Sequence, residues 1–179
     1  MRTTALFAAG FALLLLQAQL FRLLGLIHVP GLVPSLVLPL ILFMGVHEFS
    51  LARGASVAFV LGYATDLIGI APVGLYTFTY VALFLLARGA GVRLAAQTTW
   101  MQIVLALAFT LVHGVMLLML LAVFGGNPYV PRALYPLILP HVLATGAVAP
   151  LVFRLAQRIH AATTAKTAGS ASARREMLS

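Results

Sequence analysis

Cysteine is absent from this chain, and acidic residues nearly so: among 179 residues only Glu48, Asp66 and Glu176 carry a carboxylate side chain. The first absence excludes a disulfide framework, thiol catalysis and any cysteine metal site. The second leaves a single carboxylate inside an apolar stretch, Asp66, so a paired-acid mechanism lacks its second member. Charged residues of both signs make up 8% of the chain, against about a quarter in a soluble domain, while 63% is hydrophobic. Such a chain cannot cover a water-facing surface, and its solvent is expected to be a bilayer. Gly-x-Ser-x-Gly, His-Glu-x-x-His, P-loop and dinucleotide-binding glycine patterns are all missing, which argues against an enzyme. His113 and His141 lie far apart with no short His/Asp/Glu ligand spacing around them, so no metal or other cofactor is expected.

What the sequence does contain is six apolar runs, at about residues 5–24, 32–46, 52–70, 74–87, 99–124 and 135–153. A membrane span needs about 20 residues, so the second and fourth runs suffice only with their flanks included. The first run continues past Gln17-Ala18-Gln19 with no Ala-x-Ala site after it, and reads as a retained helix rather than a cleaved signal. The expected architecture is therefore an all-α integral membrane protein, a six-transmembrane-helix bundle over residues 1–160. Residues 161–179, rich in Ala, Ser and Thr, read as a disordered basic tail. Before it, residues 151–160 could form a short amphipathic helix on the inner leaflet.

The net charge of +8 resides in arginines at run ends and in the tail, a distribution that fits topology signals and anionic lipid rather than nucleic acid. With the N-terminus inside, Arg2, Arg53, Arg88, Arg93, Arg154, Arg158, Lys166, Arg174 and Arg175 fall on the inner side. Only Arg22 and Arg132 fall outside. This positive-inside bias predicts a bacterial inner (cytoplasmic) membrane protein, multi-pass, with both termini cytoplasmic. Trp100 at an inner boundary, and Tyr129 and Tyr135 at an outer one, suit the aromatic belts.

The third run places Gly54, Ala58, Gly62 and Asp66 at successive i, i+4 positions, one helix stripe of small residues ending in a carboxylate. Such stripes let helix backbones approach closely in lipid. At ~1.5 Å per residue from Arg53, Asp66 stands about 20 Å across a core of about 30 Å. A carboxylate there costs roughly 2.5–3.5 kcal/mol near the helix centre on insertion scales, so it needs a partner. Arg22 stands at comparable depth in the first run and could form a buried ion pair with it. Alternatively Asp66 caps the turn from Gly69 through Pro72 to Gly74, or contacts a partner or ligand. Gln17, Gln102, Thr110, Thr145, His113 and His141 offer further hydrogen-bonding groups within the runs. Pro34, Pro39, Pro136, Pro140 and Pro150 are positioned to break or kink the second and sixth helices. His47, Glu48 and Arg53 form an expected surface ion-pair group.

The stretch Leu61-Gly62-Tyr63-Ala64-Thr65-Asp66-Leu67-Ile68-Gly69-Ile70-Ala71-Pro72-Val73-Gly74-Leu75 resembles the rod shape-determining protein MreD family. It looks like that family's Gly-x-x-x-Asp-Leu, small residue, Pro-x-Gly-Leu pattern, with Val73 where Leu is more usual. Length, run number and short loops extend the resemblance over most of residues 1–160. The resemblance implies a non-catalytic inner-membrane scaffold of the cell-elongation machinery, supporting lateral peptidoglycan synthesis. The implied partners are an MreC-like single-span protein, RodA with its penicillin-binding transpeptidase, MreB directly or indirectly, and membrane lipids. The alternative is a substrate-binding subunit of a vitamin or metal importer. The substrate-binding components of energy-coupling-factor transporters are six-helix proteins of this size, similar in fold. Ala8-x-x-x-Ala12 resembles the small-residue motif by which they dock their coupling subunit.

Overall fold

In a computed structural model the described residues are 2–25, 33–47, 50–69, 72–90, 98–124 and 129–176. All the regular structure among them is helical. The order is α1 (Arg2–Gly25), α2 (Val37–His47), α3 (Leu51–Ile68), α4 (Leu75–Gly89), α5 (Thr99–Phe124) and α6 (Tyr129–Glu176). Four helices, α1, α3, α5 and α6, contain stretches long and apolar enough to cross a membrane; α2 and α4 are apolar but shorter. Polarity is turned inward. Asp66, Thr79, Gln102, Thr110, His113 and Thr145 are buried, while Phe21, Leu67, Met119, Phe124, Leu139 and Leu151 stand at the surface. A water-soluble fold places these groups the other way round.

The fold is organised around α2. Its sequence is apolar on every side, the pattern of a helix with no solvent face. Val37 through Val46 are all buried, and α2 touches each of the other five helices. Around it, α3 and α4 form one tight antiparallel hairpin and α5 and α6 another, with α1 set against α3 and α6.

Residues 33–36 approach α2 in a non-helical conformation, although Ser35 and Leu36 are buried. In lipid the free backbone groups at such a helix start must find partners inside the protein. The Gln17 Oε1 of α1 accepts from Leu36 N at 2.9 Å and from Val37 N at 3.4 Å. Ser35 Oγ accepts from Leu38 N at 3.4 Å. The next residue, Pro39, has no N–H to satisfy, which is why a proline is harmless in this first turn. Ser35 N in turn donates to Thr145 Oγ1 of α6 at 3.0 Å, and Thr145 Oγ1 donates to His141 O at 2.7 Å. His141 Nδ1 lies 2.6 Å from Val33 O, so the ring nitrogen carries the proton and donates.

Two expectations are corrected. Pro136, Pro140 and Pro150 all lie inside α6 and do not break it. That helix continues to Glu176, so residues 151–160 are not a separate surface helix. Residues 161–176 are helical where composition pointed to a disordered tail. Ala and Arg are strong helix formers, and a preformed helix end extends without a new nucleation step. The expected Glu48 contact and the belt tyrosines, Tyr129 and Tyr135, fall outside the described residues or side chains.

Gln17→Leu is expected to lower the detergent-unfolding midpoint by the equivalent of about 1–3 kcal/mol, because it leaves two buried N–H groups without an acceptor. Gln19→Leu, two residues on and exposed, should be neutral in the same thermal or SDS-unfolding measurement.

Candidate functional site

The α3–α4 hairpin carries the stripe read from the sequence. Gly54, Ala58, Gly62 and Asp66 are all buried on α3. Ala58 is fully covered, and Gly54 lies directly against the Phe84 ring of α4. Gly62 is the closest approach of the two backbones. A Cβ placed there would stand 2.6 Å from Thr77 Cα and 2.9 Å from Tyr76 O, both main-chain atoms that cannot rotate away. Only glycine permits this contact.

One turn beyond Gly62, Asp66 reaches across to the start of α4. Its Oδ2 accepts from Gly74 N at 3.0 Å, Thr77 N at 3.0 Å and Thr77 Oγ1 at 2.6 Å. Its Oδ1 accepts from Tyr76 N at 2.9 Å. Leu75 N, the remaining donor of that first turn, is taken by Pro72 O at 3.2 Å. Every orphan N–H at this helix start therefore has an acceptor, supplied mainly by the preceding helix. Four donors suit an acceptor-only, ionised carboxylate, and the positive end of the α4 dipole favours the charge. Gly74 adopts φ 101°, a left-handed conformation that lets the turn close. Gly69 ends α3 in an extended conformation, with its N–H bonded to Thr65 O at 2.9 Å.

The sequence left open whether Asp66 pairs with Arg22 or caps the turn. It caps the turn. Arg22 is exposed in the last turn of α1, and no Asp66–Arg22 ion pair exists among the described residues. The geometric reason is that Asp66 extends the α3 face that packs on α4. The turn donors lie within reach there, three of them on Oδ2 and one on Oδ1.

Thr77 and Tyr80 escaped the sequence reading. Thr77 is the third residue of α4 and supplies both N–H and hydroxyl to Asp66. An Asp with Gly eight residues on and Thr eleven on, across a Pro-Gly turn, was the available signal. Tyr80, 1% exposed, is buried beside Ser35 and Thr65, where the Asp66 hairpin meets the start of α2. Nothing in the sequence linked Ser35 to Tyr80, because the contact is tertiary. His113 is 3% exposed on α5 beside the rings of Tyr76 and Tyr80, with centroids 5.9 and 5.7 Å away. Neither of its ring nitrogens has a hydrogen-bond partner. Asp66, Tyr76, Tyr80, His113, His141, Ser35, Gln17 and Thr145 thus form one polar layer across five helices. No group of three or more metal-ligating side chains occurs among the described residues.

No family model matches the chain, and no curated protein or solved structure matches it either.

Asp66→Ala should lower stability by about 3 kcal/mol in a detergent-unfolding assay, since it strands four buried donors. Asp66→Asn retains one acceptor oxygen and should lose about half as much. Arg22→Ala should be neutral and its effect additive with Asp66→Ala, the outcome that distinguishes a cap from an ion pair. Gly62→Leu should cost about 1–3 kcal/mol or more by forcing the hairpin apart, whereas Leu67, already exposed, should accept Ala without loss.

Proposed function

We propose that this chain is a six-span, non-catalytic scaffold of the bacterial cell-elongation machinery, resident in the inner membrane with both termini in the cytoplasm. The observation that carries the reading is that the residues of the MreD-like motif act as one unit. Gly62 brings two backbones together, Asp66 caps the next helix, and Pro72 and Gly74 shape the turn between them. We read this as a rigid device rather than a reactive one, because four hydrogen bonds from one turn hold the carboxylate in place. The basic residues divide nine to two between the two sides, which supports the orientation.

The two short helices are compatible with six crossings. Extended residues 33–36 add about 13 Å to the ~17 Å of α2, which together match a core of about 30 Å. The ~23 Å of α4 ends at Arg88, whose long stem can carry its charge to the interface. The proposed partners are an MreC-like single-span protein, RodA with its penicillin-binding transpeptidase, and MreB directly or through these. The outward-facing apolar side chains of α1, α3, α5 and α6 are available for helix-to-helix docking.

A second reading, the substrate-binding subunit of a vitamin or metal importer, is favoured by one observation. Tyr76, Tyr80, His113 and His141 converge in the half of the bundle that faces outward under the proposed orientation, and His113 is unpartnered there. Against it stands the closure of that layer, whose remaining hydrogen-bonding groups serve each other and the starts of α2 and α4.

Affinity purification from membranes distinguishes the two. Recovery of a bitopic MreC-like protein supports the scaffold; recovery of ABC-type ATPases with a membrane coupling subunit supports the importer. His113→Phe should leave scaffold recovery unchanged, and would abolish substrate retention in an importer. The cysteine-free background allows a direct topology test. A single cysteine at Ser179 should be shielded from an impermeant thiol reagent in intact spheroplasts, and one at Asn127 should react; the reverse pattern overturns the orientation.

A further inference from the structure

A groove of about 240 Å³ opens sideways between α1 and α3, lined by Thr4, Phe7, Ser56, Val57 and Val60. It lies far from the polar layer, in the half of the bundle where α1 and α3 begin. Ser56 and Val60 stand about 8 and 14 Å along α3 from Leu51, so the groove lies within the depth of one leaflet's acyl region. Its walls are apolar in practice. Phe7 and Val60 are exposed at 37% and 43%, and the Ser56 hydroxyl is turned back to Arg53 O at 2.9 Å. At the mouth, Arg53 precedes Ser56, Val57 and Val60 by three, four and seven residues and so shares their helix face. Its side chain is exposed and has no ion-pair partner among the described residues.

We propose that the groove holds an acyl chain of an anionic phospholipid whose phosphate is bound by Arg53. The occupant follows from charge complementarity: an apolar cleft at acyl-chain depth with one guanidinium on the interfacial side of the same helix face matches an amphiphile with a negative head. Guanidinium pairs with phosphate oxygens through two parallel N–H donors, which a zwitterionic headgroup partly neutralises from within. The assignment of this lipid to the inner leaflet rests on the orientation proposed above. The binding itself does not, so the thiol-labelling test and the lipid test fail independently.

The test is lipid retention by the purified chain after reconstitution into nanodiscs of equal parts phosphatidylglycerol and phosphatidylcholine, followed by detergent extraction and mass spectrometry. Wild type should keep phosphatidylglycerol over phosphatidylcholine by about fivefold, the ratio that one basic side chain near the surface supplies. Arg53→Gln should erase that preference, and Val60→Trp should lower retention of both lipids by filling the cleft. Val112→Trp, exposed at 41% on α5, is the folded control and should behave as wild type. Equal retention of the two lipids by wild type, or undiminished retention by Val60→Trp, overturns the proposal. A photoreactive residue at Val60 in native membranes supplies the second measurement. An adduct of phospholipid mass supports the assignment; a polypeptide adduct, from a second copy or another chain, overturns it, as does the absence of any adduct.

Discussion

A helix that begins inside a membrane leaves N–H groups that lipid cannot satisfy, and the rest of this structure depends on how two such starts are closed. At α4 the acceptors are Asp66 and Pro72 O; at α2 they are Gln17 and Ser35, with Pro39 removing one donor altogether. Thr145 and His141 then secure the extended residues that lead into α2. Each unsatisfied group in hydrocarbon would cost several kcal/mol. These few side chains are therefore what allows a six-helix chain with two short helices to pack around a central one.

The same constraint explains the small residues of α3. Asp66 reaches the α4 start only if the two helices lie nearly in backbone contact, and Gly62 is where they meet, against Thr77 and Tyr76. Packing and capping are thus one feature: the close approach positions the acceptor, and the capped turn holds the approach. Tyr80, buried on α4, packs in the same core as α2, so the hairpin and the central helix share one packed interior.

In functional terms, polar groups that in a transporter would face a ligand are here largely engaged in holding helix ends. His113 is the exception, set between two tyrosine rings with no partner for either nitrogen. A closed core with an apolar outer surface presents its lipid-facing side chains as its means of interaction.

Much of the fold was legible in the chain itself. Low charge and long apolar runs pointed to a bilayer as solvent, and four helices are long and apolar enough to cross one. The i, i+4 spacing of Gly54, Ala58, Gly62 and Asp66 determined a single face with a carboxylate at its end, since helical period alone aligns them. That α2 is buried on all sides was not legible, because a wholly apolar helix can equally face lipid. Partner choice was not legible. By depth Arg22 was the leading candidate for Asp66, with the Pro72–Gly74 turn as the alternative, and only the packing of α3 on α4 selected the turn. The contacts of Gln17 with Leu36, Thr145 with Ser35 and Tyr80 with Ser35 join residues distant in sequence, so no local pattern encodes them. Spacing within one helix is set by covalent geometry and can be read from sequence. Which helix supplies the missing hydrogen-bond partner is set by the packing of all six, and only the tertiary structure decided it.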